Sequence, residues 1–380
     1  MKICRHTFQG GIKLVGTLIF FILGFALSGC SQESEQAESK SIYIAALLPL
    51  TGPAAQIGEW QRQGIELAVT QLNERGGINS SLVKVEYEDS AGSPKTGVSG
   101  LQRLLALGDP AVVISSLSGV SSAVLPVLER EQIPSLLLSV SHPTITSGTQ
   151  YAIRFHPGSE DEAKVMVDYV DQHRPDPLSI AYVNDDFGIG AKDSLMAGLE
   201  NININIASTE AYEKTSTDLR TLATKITSNK PEAIYVVGYV RSSVLLIKQL
   251  RELGFEGQFL GNMALSVPSF IKLADGSLDG ALFTTTEFDT SQSERVVSFK
   301  DEYLRTYEES PTFFSVFAYD AIGLIGQALN GAGEDEKILN KIVNVDGFTG
   351  VSGNLSINSE REVEFPIVLV QSKNSGLITP

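Results

Sequence analysis

Hydroxyl groups follow two neighbouring predicted strands, and this spacing is the strongest chemical signal in the sequence. Ser116 and Ser118-Gly119 follow the apolar run 111–114, in a predicted loop at 115–119 before a helix at 120–131. Ser139 and Ser141 follow the next apolar run, 135–138. Ligands of open α/β sheets bind beyond the carboxyl ends of strands, where hydroxyls and helix N-terminal N–H groups suit an anion such as a carboxylate. Serines also cap helices and form turns, but two such loops together favour a binding site.

Catalytic and metal chemistry have weaker support. The histidines at positions 6, 142, 156 and 173 show no spacing typical of a metal site. Residues 119–123 follow a predicted strand but lack the closing glycine of a nucleophile elbow. No Gly-Lys-Ser/Thr phosphate-binding motif occurs. The sequence therefore predicts a binding protein without a metal or cofactor, and not an enzyme.

Apolar runs of strand length alternate with helical periods along most of the chain. The first unit is a strand at 42–48, a helical pattern at 57–72 that ends at Gly76-Gly77, and a strand at 82–88. The alternation continues and restarts near residue 160, so we expect an α/β fold with two doubly wound parallel sheets. Toward the end, two runs at 353–357 and 363–370 are typical of a hairpin.

The N-terminus has the pattern of a cleaved export signal. Basic residues precede an apolar run at 14–27, whose fourteen residues are too few to span a bilayer. Leu27-Ser-Gly-Cys30 follows and resembles a bacterial lipobox, in which Cys30 becomes the lipidated first residue; a plain signal with a chance cysteine is the alternative. We predict a lipoprotein signal peptide at 1–29 and a polar, lipidated tether at 30–41, which leaves a membrane-anchored protein facing the periplasm or the extracellular side.

Composition limits the partners. Removal of the signal leaves 26 basic and 45 acidic residues, a net charge of −19. Because such a chain repels phosphate backbones and shows no basic stripe, nucleic acid is not an expected partner. Cys4 leaves with the signal, so Cys30 is the single remaining cysteine and cannot form an internal disulfide. About 350 remaining residues exceed one core and predict two domains.

The first unit contains four short stretches that read PLTGPAAQIG at 49–58, GIELA at 64–68, NERGG at 73–77 and YEDS at 87–90. In order and spacing they resemble the leucine/isoleucine/valine-binding family of ABC-transporter receptors. The resemblance covers about 42–373 and implies a type I periplasmic binding fold with three hinge crossings. It also implies a first lobe of 42–156 plus 286–345 and a second lobe of 157–285 plus 346–380.

The resemblance implies site residues on both lobes. Ser118 and Gly119 fall where relatives carry serines that bind the ligand carboxylate, and Gly119 offers only its N–H there. Ser139 and Ser141 match a pair that contacts both main-chain ends of an amino acid. Aromatic residues that cover the ligand from the second lobe are matched by Phe187 and Tyr239.

Met263 falls where amino-acid binders carry an acid that pairs with the ligand ammonium. A buried ammonium without a counter-charge would cost several kcal/mol, so a plain aliphatic amino acid is not expected unless Glu287, at another strand end, substitutes. An apolar or aromatic carboxylate, or an amide, fits a site with Met263 and Ile57 at least as well. Trp60, the single tryptophan, either contacts the cleft rim or packs in the core, and packing is the favoured interpretation.

These observations predict a lipid-anchored, monomeric solute-binding receptor. It would capture a small amino-acid-like carboxylate or amide between two closing lobes and present it to an ABC permease in the inner or cytoplasmic membrane. The alternative is a ligand-sensing or regulatory lipoprotein of the same fold that acts on a cell-envelope partner.

Overall fold

The first half of the chain forms a five-stranded parallel sheet in the order β2-β1-β3-β4-β5. The computed structural model describes residues 41–330, 337–345, 347–374 and 376–379. The predicted signal peptide, Cys30 and the tether up to residue 40 lie outside these residues. The first elements are β1 (Ile42–Leu48), α1 (Ala55–Glu74), β2 (Val83–Asp89), α2 (Pro94–Ala106), β3 (Val112–Ser116), α3 (Ser118–Glu131), β4 (Ser135–Leu138) and β5 (Ala152–Arg154). β3 and β4 are buried along their whole length, as strands covered by helices on both faces must be.

One boundary at the predicted site differs from the sequence-based expectation. Residues 115–119 do not form a loop: β3 continues to Ser116 and α3 begins at Ser118. Leu117 makes the whole connection with a φ of +73°. Such a conformation is uncommon for a residue other than glycine. The tight turn places the Ser118 hydroxyl in the first turn of the helix and not in a loop before it.

The second lobe is built on a seven-stranded sheet in the order β15-β14-β10-β9-β8-β6-β7. Strands β6 to β10 are parallel wherever they pair, and a short 3₁₀ turn at Met263–Leu265 follows β9. Its elements are α4 (Ser159–His173), β6 (Leu178–Val183), α5 (Asp186–Leu199), β7 (Ile206–Tyr212), α6 (Arg220–Ser228), β8 (Ala233–Val237), α7 (Val240–Glu252), β9 (Gln258–Gly261), α8 (Pro268–Ala274), β10 (Leu282–Thr286) and α9 (Glu287–Thr290).

The last third of the chain returns to both sheets. It contains α10 (Glu294–Tyr307), α11 (Phe313–Leu329), α12 (Ile338–Val343), β11 (Phe348–Gly350), β12 (Gly353–Ile357), β13 (Val363–Glu364), β14 (Ile367–Lys373) and β15 (Gly376–Ile378). α11 packs closely on α1: a Cβ atom added at Gly64 would lie 2.1 Å from the Ser315 carbonyl oxygen. Glycine is required at that crossing, since any side chain would overlap the α11 backbone.

The predicted terminal hairpin is only partly right. β12 pairs with β13 in the antiparallel sense, but Phe365-Pro366 interrupts the second strand, and β14 pairs with β10 instead. Pro366 has no N–H to donate to a ladder, so the break falls there. The segment before β14 also contacts the first sheet and its helices: the Val351 N–H donates to Asp320 on α11, and Glu362 forms a bridge to Arg154 of β5. The predicted lobe boundaries stay a prediction.

Candidate ligand-binding cleft

A cavity lies between the two sheets, at the carboxyl ends of β3, β4, β8 and β9. Its first wall comes from the first lobe and its second wall from the second lobe. The lining side chains and glycine are Ile57, Leu117, Ser118, Ser139, Ser141, His156, Phe313 and Phe314 on the first wall, and Phe187, Gly238, Tyr239, Val240, Asn262, Met263 and Ala264 on the second. This is the edge at which parallel sheets bind ligands.

Seven of the nine predicted ligand-binding residues line this cavity. The structure brings together Ile57, Ser118, Ser139, Ser141, Phe187, Tyr239 and Met263, although they are spread over more than two hundred positions of the chain. Their position at one cavity is a structural fact, whereas their contact with a ligand stays a prediction.

The other predicted residues lie elsewhere. Gly119 faces the second lobe: a Cβ atom added at this glycine would lie 3.6 Å from Asp186 Oδ2. Trp60 is only 2% exposed and stacks on Phe314 with ring centres 5.9 Å apart. It packs behind the cavity wall, which agrees with the favoured packing interpretation. Glu287 begins α9 with an exposed side chain and does not line the cavity, so its position gives no support to the predicted role as a substitute acid.

The serines of the first wall differ in how their hydroxyls are bonded. Ser139 Oγ accepts a hydrogen bond of 2.8 Å from the Gln61 side-chain amide. Ser118 is 1% exposed, and within the described part of the chain its hydroxyl has no hydrogen-bond partner. An unpaired buried polar group costs about 1–3 kcal/mol, and native structures contain few of them. A ligand that accepts from Ser118 would remove this cost.

Two aromatic rings form the centre of the second wall. Phe187 and Tyr239 have ring centres 5.6 Å apart. The Tyr239 hydroxyl donates to Asp185 Oδ2 at 3.1 Å, and Asp185 Oδ1 caps α5 by accepting from the Gly188 N–H. Burial, followed by the Asp185 carboxylate, raises the pKa of Tyr239 well above its ordinary range. Tyr239 therefore stays a neutral, fixed surface.

A buried acid lies directly behind Met263. Met263 is 1% exposed and its side chain lines the cavity, while its N–H donates to Glu162 Oε2 at 2.7 Å. Glu162 also accepts from the Thr284 hydroxyl at 2.5 Å. Burial raises its pKa to about 7, although these two donors act in the opposite direction. The carboxylate is thus committed to groups of its own lobe.

Eight lining residues were not predicted as site residues, and four of these have aromatic or polar side chains. His156 is buried with its Nδ1 2.9 Å from the Pro157 carbonyl oxygen, and burial lowers its pKa to about 4, so the ring is neutral at pH 7. Phe313 and Phe314 begin α11. The Asn262 Oδ1 atom is buried without a partner in the described chain. No acidic or basic side chain other than this neutral histidine is among the described residues that line the cavity.

The comparison with known families decides the class of this protein. The sequence model of the periplasmic binding protein family matches residues 41–376. The chain belongs to this family. A Leu/Ile/Val-binding protein homolog from Brucella melitensis is 28% identical over 331 residues, which cover 86% of each chain. These matches confirm the predicted family and agree with a solute-binding protein and not an enzyme.

Solved structures show the same fold. A branched-chain amino acid transporter substrate-binding protein from Streptococcus pneumoniae, in complex with isoleucine, has a TM-score of 0.81 at 21% identity over 90% of this chain and 100% of its own. An ABC-transporter solute-binding protein from R. palustris, in complex with benzoate, has a TM-score of 0.80 at 17% identity over 89% of this chain and 95% of its own. The predicted type I periplasmic binding fold is therefore confirmed.

The described residues also bear on membrane spans and metal sites. Among them, no helix is both long and apolar enough to cross a bilayer. Within the same segments, no group of three His, Cys, Asp or Glu side chains could hold a metal ion.

Proposed function

We propose that this periplasmic binding protein captures a small carboxylate with an apolar body and delivers it to an ABC permease. The observation that carries the proposal is the unpaired, buried Ser118 hydroxyl at the cavity. It lies in the first turn of α3, where helical N–H groups have no helical partners and the helix dipole favours negative charge. A carboxylate at this point would pair with both kinds of donor.

The body of the ligand is argued from the other lining residues. Ile57, Phe187, Tyr239, Phe313 and Met263 form an apolar and aromatic surface that suits a branched or aromatic group. Relatives of this chain are named for leucine, isoleucine and valine, and similar structures hold isoleucine and benzoate. These ligands share a carboxylate attached to an apolar body.

An ammonium group is harder to accommodate. The neutral His156 provides no counter-charge for it, and the Glu162 carboxylate lies behind Met263 with its Oε2 atom already accepting two hydrogen bonds. A buried cation without a partner costs several kcal/mol. Simple carboxylic acids or amides therefore fit the cavity better than the corresponding α-amino acids.

A thermal-shift and calorimetric screen with matched ligand pairs tests the proposal. The pairs are leucine with 4-methylpentanoate, phenylalanine with 3-phenylpropanoate, and each acid with its amide. We expect the deaminated acid to bind more tightly in each pair, and a ligand at a hundredfold excess over Kd to stabilise by about 2.7 kcal/mol. Tighter binding of the amino acids would reject the ligand class alone, whereas no binding across the panel would reject capture of this kind of ligand.

The role of Ser118 has a matched control in the same segment. Ser116 is also buried with an unpaired hydroxyl, but it does not line the cavity. Loss of a hydrogen bond to a charged group costs about 1.5–3 kcal/mol, so we expect Ser118→Ala to weaken binding at least tenfold. Ser116→Ala should leave Kd unchanged. Equal affinities of the two variants would contradict a ligand contact at Ser118.

We also propose that Cys30 carries the lipid that anchors the body to a membrane. The lipobox-like residues 27–30 and the polar stretch 31–41 support this, and several acyl chains are enough for stable anchoring. In cells supplied with a labelled fatty acid, we expect the wild-type protein to become labelled and Cys30→Ser to stay unlabelled. Label on the variant would contradict an anchor at Cys30.

A further inference from the structure

One lysine joins the two lobes beside the cavity. Lys214 follows β7 in the second lobe, and its Nζ donates to the carbonyl oxygen of Gly92, which follows β2 in the first lobe, at 3.4 Å. The same Nζ lies 3.6 Å from Asp185 Oδ2 and 5.7 Å from the centre of the Tyr239 ring. Lys214 therefore contacts the first lobe at Gly92. It also contacts Asp185, the residue that accepts the hydrogen bond of the Tyr239 hydroxyl.

The topology places this contact far from the hinge. In the first sheet, β2 is one edge strand and β5 is the other. In the second sheet, β7 is the edge strand on the side away from β10 and β14. The chain crosses between the lobes after β5, after β10 and before β14. In a hinge motion, displacement grows with distance from the axis. Opening of the cleft must therefore break the contact between Lys214 and Gly92.

Both ends of the contact are held in place. On the first lobe, Asp89 Oδ1 accepts from the N–H groups of Leu50 and Ala91 at 2.8 and 2.7 Å, which fixes the loop that carries Gly92. On the second lobe, Asp185 is both the cap of α5 and the acceptor of the Tyr239 hydroxyl. Lys214 thus connects two acceptors that are held in place, the Gly92 carbonyl oxygen and the Asp185 carboxylate.

We propose that Lys214 is a positioning residue of the cleft: it stabilises the closed arrangement through Gly92 and holds Tyr239 through Asp185. This inference rests on the proposed capture between two closing lobes. Its side chain is 33% exposed, and an exposed ion pair with Asp185 alone would contribute little. The hydrogen bond to Gly92 forms only when the lobes are close together, so Lys214 stabilises the closed arrangement more than the open one.

Small-angle scattering and calorimetry on three variants test this role. Lys214→Met removes the charge, Lys214→Arg keeps it, and Lys225→Met is the matched control, because Lys225 pairs with Glu210 at 2.7 Å inside the second lobe. We expect Lys214→Met to have a larger radius of gyration than wild type with saturating 4-methylpentanoate. Its Kd for that ligand should rise about tenfold, as expected for one lost charged hydrogen bond.

The controls separate positioning from stability. Lys225→Met should match wild type in radius and Kd, Lys214→Arg should restore most of the affinity, and all variants should keep their melting temperature without ligand. Identical radii for Lys214→Met and Lys225→Met, with and without ligand, would overturn the inference, and so would a change in melting temperature alone. If no panel ligand binds, the proposed function fails, while the radii of the ligand-free proteins still decide the role of Lys214.

Discussion

The buried carboxylate behind the cavity makes the stability of this protein depend on pH in a specific way. Glu162 is 3% exposed, and burial raises its pKa from 4.5 to about 7. Between these values the folded protein holds a proton that the unfolded chain has released. The contribution of Glu162 to stability is therefore fully present below pH 4.5 and is lost as the pH rises through 7.

The size of the loss follows from the two pKa values. Each tenfold change in a protonation equilibrium is worth 1.36 kcal/mol, so the ionisation of Glu162 lowers the free energy of unfolding by about 3 kcal/mol between pH 4 and pH 8. Glu162→Gln keeps an oxygen that can accept from the Met263 N–H but cannot ionise. We expect the variant to equal wild type within about 1 kcal/mol at pH 4 and to be about 3 kcal/mol more stable at pH 8.

Urea unfolding from pH 4 to pH 8 measures this difference. The buried carboxyls of Asp289 and Asp320, whose pKa values burial raises to about 6, titrate in both proteins, so subtraction of the two curves isolates Glu162. Glu287→Gln is the control, because that side chain is exposed at the start of α9. Parallel curves for Glu162→Gln and wild type would refute the claim that Glu162 is charged at a cost in the folded protein.

Three further substitutions test the contacts of α11. Gly64→Ala should lower the free energy of unfolding by about 1–3 kcal/mol, since its Cβ would lie 2.1 Å from the Ser315 carbonyl oxygen. Gly326→Ala on α11, whose Cβ would lie 3.5 Å from Leu72, should gain up to about 1 kcal/mol; equal melting temperatures would contradict the close crossing of α1 and α11. Asp320→Ala should cost about 2–5 kcal/mol in urea unfolding, because it leaves the buried N–H groups of Val351 and Ser352 without acceptors. A loss below 1 kcal/mol would show that other groups satisfy them.

Much of the fold could be predicted because its strands are buried on both faces. β1 and β4 have the predicted limits, since continuous apolar runs bounded by turn residues leave little choice. The start of α3 could not be predicted in the same way. The turn before it is made by Leu117 at positive φ, and a leucine gives no sequence signal for that conformation. Pro366 signals the break before β14, but the apolar residues on both sides of it favour one continuous strand.

The cavity was predicted less completely than the fold, for a physical reason. The serines after β3 and β4 lie at strand ends, and strand order alone brings them together. Phe313 and Phe314 begin a helix more than 150 residues later, and only the packing of α11 on α1 brings them to the cavity. Glu162 resembles an ordinary acid in the first turn of an amphipathic helix. Its burial depends on Met263 and Thr284, which come from distant parts of the chain.

The antiparallel strand β14 has a consequence for the order in which the protein folds. β10 ends at Thr286 and pairs with Ile367–Lys373, about eighty residues later, while α11 must return to α1 across more than two hundred. A chain of which only the first 290 residues have been synthesised lacks β14 and β15 of the second sheet and the helix α11 that packs on α1. Contacts of such separation close slowly. Both sheets therefore stay incomplete until the C-terminal part of the chain is present, and until then one edge of β10 has no pairing strand.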